Sequence, residues 1–321
     1  MPTADPEYSA LTSGAGLVDV SGRTQIELTG DDLATFLHSF TTNDIRGLRP
    51  GKGCEAFALD ARGHVLGHLL VFCTPHSLVV DTVPEQGEKL IRHLERYLIR
   101  EQVEIHDRTD EWGELLLAGS EAEQLLHDAA VTVPAGRLEH EQAQLAWQTV
   151  WIRRVDMAGP RSFLIAGERG AIDALVIALA AEGATPCTLQ TFETVRIEAS
   201  FPWYGRDITD KNLAQEVNRD RLAISLTKGC YLGQETVARI DALGHVNKTL
   251  QSVRFSGGTV PPAGSELRCG QSQSGEVTSA TYSPHLNAPL GLAYIRRGLE
   301  AIGTKLDSDY GEAEVIARPL G

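Results

Sequence analysis

Residues 228–235 bring a thiol, a cation, an aromatic ring and an acid together in a segment that reads Lys-Gly-Cys-Tyr-Leu-Gly-Gln-Glu. Cys230 lies two residues after Lys228 and shortly before a helix that is predicted to begin after Gly233. A nearby cation and a helix N-terminus both favour the thiolate form of a cysteine. We therefore predict that Cys230 is a reactive thiol. The alternative is a cysteine that only packs, because free cysteines are often buried.

Two earlier segments also mix charged, small and aromatic residues. Residues 195–208 read Val-Arg-Ile-Glu-Ala-Ser-Phe-Pro-Trp-Tyr-Gly-Arg-Asp-Ile, and a helix predicted over 188–198 places Glu198 near its end. Residues 36–46 contain the tripeptide Thr-Asn-Asp at positions 42–44. Together with residues 228–239, these segments fall in a single order along most of the chain.

In this order the three segments resemble the YgfZ-type proteins, which are relatives of the glycine-cleavage T-protein, an aminomethyltransferase. Lys-Gly-Cys-Tyr-x-Gly-Gln-Glu is similar to the signature of the YgfZ type. Residues 196–208 resemble the Arg-x-Glu-x-Gly-x-Pro segment of the superfamily, although Ser200 stands in place of its glycine. The resemblance implies an α+β protein with the T-protein-like fold, in which ferredoxin-like α/β lobes and a C-terminal β-barrel surround a central folate site.

The same resemblance implies a function. A YgfZ-like protein is expected to bind tetrahydrofolate or a derivative and to act as an accessory factor, not a classical enzyme, in assembling or repairing iron–sulphur clusters. Its partners would be iron–sulphur client proteins, including radical enzymes that modify tRNA, with Cys230 as the reactive thiol. One alternative is a folate-dependent aminomethyl or one-carbon transferase, and another is a thiol protein that does not use folate.

Five residues are predicted to form the folate site. An ionised carboxylate only accepts hydrogen bonds, so Glu198 would complement the adjacent N–H donors of a pterin, as the resemblance also implies. Phe192 and Tyr231 offer aromatic faces for stacking, and Lys228 and Arg239 would hold the glutamate tail or favour the thiolate of Cys230. The structural alternatives are a solvated glutamate, core aromatic residues and solvated basic residues.

A residue of the transferases is missing from this chain. Aminomethyltransferases carry an aspartate in an Asn-rich segment that follows the strand after the first hairpin. The matching residues 79–89 lack these asparagines, and either Gly87 or Glu88 falls at the position of the aspartate. Asp81 or Glu88 would have to replace it, which disfavours transferase chemistry.

Composition excludes several other classes. The 321-residue chain has a formal net charge of −14, which argues against a nucleic-acid or anionic-membrane binder. Its 5 cysteines are scattered without a Cys-x-x-Cys pair, and the histidines lack metal-ligand spacing, so neither a disulfide framework nor a metal site is predicted. The first residues show no targeting pattern and no apolar stretch is long enough to span a bilayer, so we expect a cytoplasmic protein.

Hydrophobic patterns define the elements that must position these residues. Residues 24–29, 57–60, 65–72 and 77–83 are predicted strands, with a turn at 61–64 and a helix opened by Pro84. Residues 115–120 and 163–168 each form a strand and an Ala-Gly turn before a helix, which suggests a duplicated ferredoxin-like βα unit. After residue 245, short strands separated by Gly, Pro and Ser indicate a small barrel.

These patterns divide the chain into four stretches. They are an N-terminal α+β lobe at 1–110, a second lobe at 111–187, the segment carrying the folate and cysteine motifs at 188–244, and the barrel at 245–321. The third stretch is expected to pack back on the two lobes.

Overall fold

The computed structural model describes residues 5–320, which form three β-sheets and eight α-helices. The strands are β1 (Gly16–Asp19), β2 (Thr24–Thr29), β3 (Lys52–Leu59), β4 (Val65–Cys73), β5 (Leu78–Thr82), β6 (Glu104–Asp107), β7 (Trp112–Ala118), β8 (His140–Leu145), β9 (Gln148–Val155), β10 (Ser162–Glu168), β11 (Thr185–Cys187), β12 (Lys248–Phe255), β13 (Glu266–Cys269), β14 (Ser272–Ser283), β15 (Ala288–Arg296), β16 (Lys305–Leu306) and β17 (Ala313–Ile316). The helices are α1 (Pro6–Ser13), α2 (Leu33–His38), α3 (Gly87–Glu95), α4 (Ala122–Asp128), α5 (Arg169–Ala181), α6 (Leu189–Glu198), α7 (Asp220–Ala223) and α8 (Gln234–Leu243). No helix within the described range is long and apolar enough to cross a lipid bilayer.

The first lobe is an antiparallel sheet in the order β3-β4-β5-β2-β6. The predicted hairpin is confirmed, because β3 pairs with β4 across a turn in which Gly63 has a positive φ of 86°. The helices α2 and α3 pack on this sheet through Phe36, Leu37, Leu90 and Leu94. The prediction that Pro84 opens a helix was wrong by one turn, since α3 begins at Gly87.

The second lobe is a sheet in the order β11-β1-β7-β10-β9-β8. The duplicated strand–helix units lie side by side, because β7 and β10 are antiparallel neighbours and each is followed by a helix. Although β1 falls in the sequence range assigned to the first lobe, it pairs with β7 and β11 of the second. The sequence did not predict β8, since Glu141, Gln142 and Gln144 are exposed polar residues at the sheet edge and leave no apolar alternation.

The C-terminal sheet has the order β13-β14-β15-β12-β17-β16. Its two edges meet where the backbones of Arg268 and Asp307 exchange hydrogen bonds of 2.8 Å, so the sheet curves into a nearly closed barrel. Side chains including Val253, Phe255 and Val277 fill its interior. The barrel predicted from the short strands is confirmed.

His140 makes the second lobe sensitive to acid. Its ring lies between Phe72 and Trp151, is 1% exposed, and has no hydrogen-bond partner within residues 5–320. Burial and the neighbouring Arg153 lower the pKa of His140 to about 4. The folded protein therefore favours the neutral form of His140. This contribution to stability is complete at pH values above the usual histidine pKa and is lost as the pH falls toward 4.

We expect acidification from pH 7 to pH 4 to remove about 3 kcal/mol of stability through His140, since one pKa unit corresponds to about 1.4 kcal/mol. In His140→Phe the aromatic packing is kept and the titration is removed. Denaturant unfolding at both pH values should therefore show a smaller acid loss in the variant. Equal losses in the two proteins would contradict the prediction.

Candidate functional site

The Cys230 segment is an exposed loop that leads into α8. Cys230 itself is exposed, and α8 begins at Gln234, as predicted. Gly233 precedes the helix with a φ of 81°, and a Cβ at this position would lie 2.6 Å from the carbonyl oxygen of Asp60. Only glycine fits this backbone, so it sets the path of the chain from the thiol into the helix.

Lys228 holds this loop in place. Its Nζ donates hydrogen bonds to the carbonyl oxygens of His38 (2.6 Å), Thr41 (2.5 Å) and Asn43 (2.7 Å). The same Nζ lies 4.8 Å from the centre of the Tyr231 ring. Burial lowers the pKa of Lys228 to about 8, and the three carbonyl oxygens oppose this effect because they accept all three ammonium protons. The side chain is thus occupied by backbone groups of the chain.

The fold joins two of the three sequence motifs. Thr42 Oγ1 donates to the carbonyl oxygen of Ala223 at 2.6 Å, and Asn43 Nδ2 donates to that of Leu222 at 2.9 Å. The Thr-Asn-Asp motif therefore packs against the end of α7, on the segment that leads to Cys230, and its Asn43 supplies one of the three carbonyl oxygens that accept from Lys228. Sequence order alone does not show this contact.

Glu198 ends α6, as predicted, but it is fully buried. Its Oε2 accepts a 2.7 Å hydrogen bond from Tyr8, and its Oε1 accepts a short one from Ser283 in the barrel. Burial and the hydrogen bond to Glu198 raise the pKa of the Tyr8 hydroxyl. Within residues 5–320 no cation pairs with this carboxylate, and no hydrogen bond links it to the Cys230 loop. A pterin at Glu198 would have to replace these two hydroxyl donors.

The other predicted ligand residues lie in different surroundings. Phe192 is buried in the core and makes an edge contact with Trp203, with ring centres 6.1 Å apart. Tyr231 is also buried, and burial raises the pKa of its hydroxyl to about 12. Arg239 lies exposed on α8. Their roles in folate binding stay predictions.

The acids that would replace the transferase aspartate are not presented to a ligand. Asp81 is fully buried in β5 and accepts a 2.9 Å hydrogen bond from Arg23 Nε. Glu88 lies on α3 with 82% of its side chain exposed and pairs with Arg92 one turn along the helix. Asp81 is closed off from any ligand and Glu88 lies in solvent. Neither side chain therefore lies in a partly buried pocket where it could act on a ligand.

A buried ionic cluster around Glu55 was not predicted. Arg219 contacts both carboxylate oxygens of Glu55, with Nη2 and Oε2 2.7 Å apart, and reaches Asp156 at 3.2 Å. His68 and Arg137 also contact Glu55. Burial acts to raise the pKa of Glu55, but Arg219 and His68 outweigh it and hold that pKa well below its usual range. The sequence feature that could have pointed to Glu55 is its position as a lone acid directly before the apolar run Ala-Phe-Ala-Leu of β3.

A cavity of about 680 Å³ lies between α7, α8 and the barrel. Ile224 and Ile240 provide apolar surface, and Arg221, His245 and Arg297 provide polar groups. Its volume falls in the range of about 300–1,000 Å³ that is usual for small-molecule sites. Between residues 5 and 320, no group of three His, Cys, Asp or Glu side chains is arranged to hold a metal ion.

Residues 5–320 thus form two α/β lobes and a C-terminal barrel, with an exposed thiol on a clamped loop. Residues 1–228 match the GCVT N-terminal domain, and residues 248–320 match the glycine cleavage T-protein C-terminal barrel domain. The chain therefore belongs to the glycine cleavage T-protein family, and the resemblance stated from sequence is confirmed at this level.

Similar proteins share most of the length of this chain. A putative chloroplastic transferase of Arabidopsis thaliana is 27% identical over 93% of this chain and 69% of its own. An aminomethyltransferase of Symbiobacterium thermophilum is 29% identical over 97% of this chain and 84% of its own. The crystal structure of aminomethyltransferase T from Bartonella henselae superposes with a TM-score of 0.89 at 20% identity, covering 100% of this chain and 91% of that one. The predicted fold is thus confirmed.

Proposed function

We propose that this protein is a YgfZ-like, folate-binding accessory factor that helps to assemble or repair iron–sulphur clusters, with Cys230 as its reactive thiol. The observation that carries the proposal is the exposed Cys230 on a loop that Lys228 clamps to three carbonyl oxygens. A thiol held in this way is accessible to a macromolecular client. Clients that include tRNA-modifying radical enzymes are part of the same proposal, on the basis of the sequence signature.

Cys230 would act on a cluster transiently. Iron–sulphur clusters are usually held by four cysteine thiolates, whereas this loop supplies a single one. The remaining ligands would have to come from the client protein, so Cys230 would serve as a temporary ligand or as a redox partner. The expected result is that Cys230→Ser abolishes the support of client maturation and leaves the stability of the fold unchanged.

Folate binding is supported by the likeness to aminomethyltransferases and by the buried carboxylate of Glu198. Its only side-chain donors among residues 5–320 are the neutral hydroxyl groups of Tyr8 and Ser283. The N–H groups of a pterin would form the same kind of hydrogen bond and could replace them. The cavity that contains Arg297 is the rival location, because it has the size of a small-molecule site.

Titration with tetrahydrofolate, followed by tryptophan fluorescence, tests this proposal. We expect Glu198→Gln to bind about tenfold more weakly than the wild type, because a hydrogen bond to a charged group contributes about 1.5–3 kcal/mol. Glu182→Gln, an exposed acid that follows α5, is the matched control and should bind normally. Weakening only in Arg297→Gln would move the site to the cavity, and a wild type that does not bind would remove folate from the proposal.

The second candidate function is a folate-dependent aminomethyltransferase, which the names of the relatives favour. The burial of Asp81 and the exposure of Glu88 argue against it. Release of ammonia and methylenetetrahydrofolate from an aminomethylated lipoyl carrier would discriminate between the two. Robust turnover would overturn the accessory role.

Loss of client support in Cys230→Ala but not in Glu198→Gln would indicate a thiol protein that does not use folate.

A further inference from the structure

His38 lies beneath the loop that carries Cys230. It is the last residue of α2 and is 4% exposed. Its Nε2 is buried without a hydrogen-bond partner in the described part of the chain, and it lies 4.0 Å from the point that a Cβ on Gly229 would occupy. A buried polar atom without a partner is destabilising. Such an atom beside the residue that precedes a candidate nucleophile calls for a functional explanation.

The chain on both sides of Cys230 is fixed to the end of α2, at His38 and at the residue that follows it. Lys228 Nζ donates to the carbonyl oxygen of His38 at 2.6 Å. On the other side, the N–H of Leu232 donates to the carbonyl oxygen of Ser39 at 2.9 Å. Cys230 is therefore held between two anchors on consecutive residues, directly at the end of α2.

Asp44 fixes the orientation of the imidazole. Its Oδ1 lies 3.2 Å from His38 Nδ1. The backbone N–H of Arg46 points to the same atom from 3.5 Å and would donate to it only in the other tautomer, so the shorter Asp44 contact favours a proton on Nδ1. Burial, followed by the charges of Lys228 and Arg46, lowers the pKa of His38, and Asp44 acts in the opposite direction. A neutral imidazole that donates Nδ1–H to Asp44 has an acceptor lone pair on Nε2.

Arg46 supplies a positive charge on the same side of the loop. Its Nη2 lies 3.6 Å from the Cβ position of Gly229, and the residue is exposed. Within residues 5–320 its guanidinium forms no ion pair with an acid. A free guanidinium binds carboxylates and phosphates well because its N–H groups match their geometry.

We propose that Cys230, His38 and Arg46 form one reaction site for a small anionic electrophile. His38 takes the proton of the thiol, Asp44 orients His38, and Arg46 binds the carboxylate or phosphate of the substrate. This assignment rests on the proposed role of Cys230 as a reactive thiol and names its chemistry. It has the nucleophile, base and orienting acid that mark an activated nucleophile.

The step can be written for an alkylating probe. The sulphur of Cys230 forms a bond to the methylene carbon of iodoacetate as the carbon–iodine bond breaks. Iodide leaves with the bonding electron pair, and the thiol proton passes to His38 Nε2. The carboxylate of the probe contacts Arg46, which the neutral reagent iodoacetamide cannot do in the same way.

Site-resolved mass spectrometry of alkylation between pH 6 and 9 tests the site on the full chain. Cys269, which is also exposed, provides an internal reference. We expect Cys230 to react about tenfold faster than Cys269 at pH 7, and His38→Gln to slow both reagents at Cys230 by about tenfold or more. His127→Gln, an exposed histidine on α4, is the control and should change neither rate.

Two further variants separate the roles of the side chains. Asp44→Asn should slow Cys230 and shift its pH profile while keeping the imidazole, and it serves as the test if His38→Gln does not fold. Arg46→Gln should lower the ratio of the iodoacetate rate to the iodoacetamide rate by about fivefold, because the loss of one charged contact is worth about 1 kcal/mol.

The outcomes distinguish this inference from the function on which it rests. If wild-type Cys230 reacts no faster than Cys269, both the reactive thiol and this site are overturned. A fast wild type with an unchanged rate and pH profile in folded His38→Gln and Asp44→Asn overturns the role of His38 alone. An unchanged reagent ratio in Arg46→Gln overturns the preference for an anion. None of these results depends on folate, which the tryptophan titration tests separately.

Discussion

Replacing Arg219 with methionine is expected to lower the free energy of unfolding by about 3–5 kcal/mol at neutral pH, because it leaves buried carboxylates without their main partner. Arg219 is 6% exposed and contacts both oxygens of Glu55. It also donates to Asp156 at 3.2 Å, and its guanidinium carbon lies 5.2 Å from the centre of the Phe201 ring. Methionine keeps much of the apolar contact and removes the charge.

Denaturant unfolding at pH 7 measures this loss, and Arg206→Met provides the control. Arg206 pairs with Glu193 at 3.0 Å but has 56% of its side chain exposed, so its removal should change stability by less than about 1 kcal/mol. The double variant Glu55→Gln with Arg219→Met should be more stable than Arg219→Met alone, because the buried charge that has lost its main partner is removed as well. Equal losses for Arg219→Met and Arg206→Met would contradict the prediction.

The large effect is expected because this cluster joins distant parts of the chain. Glu55 lies in the first lobe, whereas Arg137 and Asp156 belong to the second. Arg219 precedes α7, and Arg318 donates from beyond the last barrel strand to the carbonyl oxygen of Asp156 at 3.2 Å. The loss of one cation therefore weakens the contacts between these regions as well as one ion pair.

Local patterns were sufficient to predict most of the elements. The alternation at residues 24–29, the turn at Gly63 and the apolar runs of β7 and β10 each depend on neighbours in sequence. Ser200 illustrates a finer point: it occupies the position of the family's glycine and has a φ of 51°. Glycine adopts this conformation without steric penalty, whereas a serine in it is strained.

The surroundings of the site could not be predicted in the same way. Glu198 was expected to face a ligand, but its donors are Tyr8, 190 positions earlier, and Ser283, 85 positions later. No local pattern contains contacts of this range. His38 was not singled out for a related reason. A histidine at the end of a short helix is unremarkable in sequence, and its relation to Cys230 depends on how residues 38–43 pack against residues 222–232.

Replacing Lys228 with methionine should lower the free energy of unfolding by about 2–4 kcal/mol, since each hydrogen bond to a charged group is worth about 1.5–3 kcal/mol and water can satisfy part of the loss. The ammonium group of Lys228 reaches three carbonyl oxygens, on His38, Thr41 and Asn43, at 2.5–2.7 Å. Faster amide hydrogen exchange at residues 228–232 should accompany the loss, because the loop is released from α2.

Lys228→Arg and Lys211→Met sharpen this test. The planar guanidinium of arginine does not fit three convergent acceptors around one nitrogen, so Lys228→Arg should recover only part of the stability. Lys211 is exposed and its replacement should have little effect. If Lys228→Met kept its stability within about 0.5 kcal/mol but lost affinity for tetrahydrofolate, Lys228 would be the ligand-binding residue that the sequence alone suggested. A large loss of stability, with hydrogen exchange in the first lobe unchanged, would identify Lys228 as the clamp that holds the Cys230 loop to the end of α2.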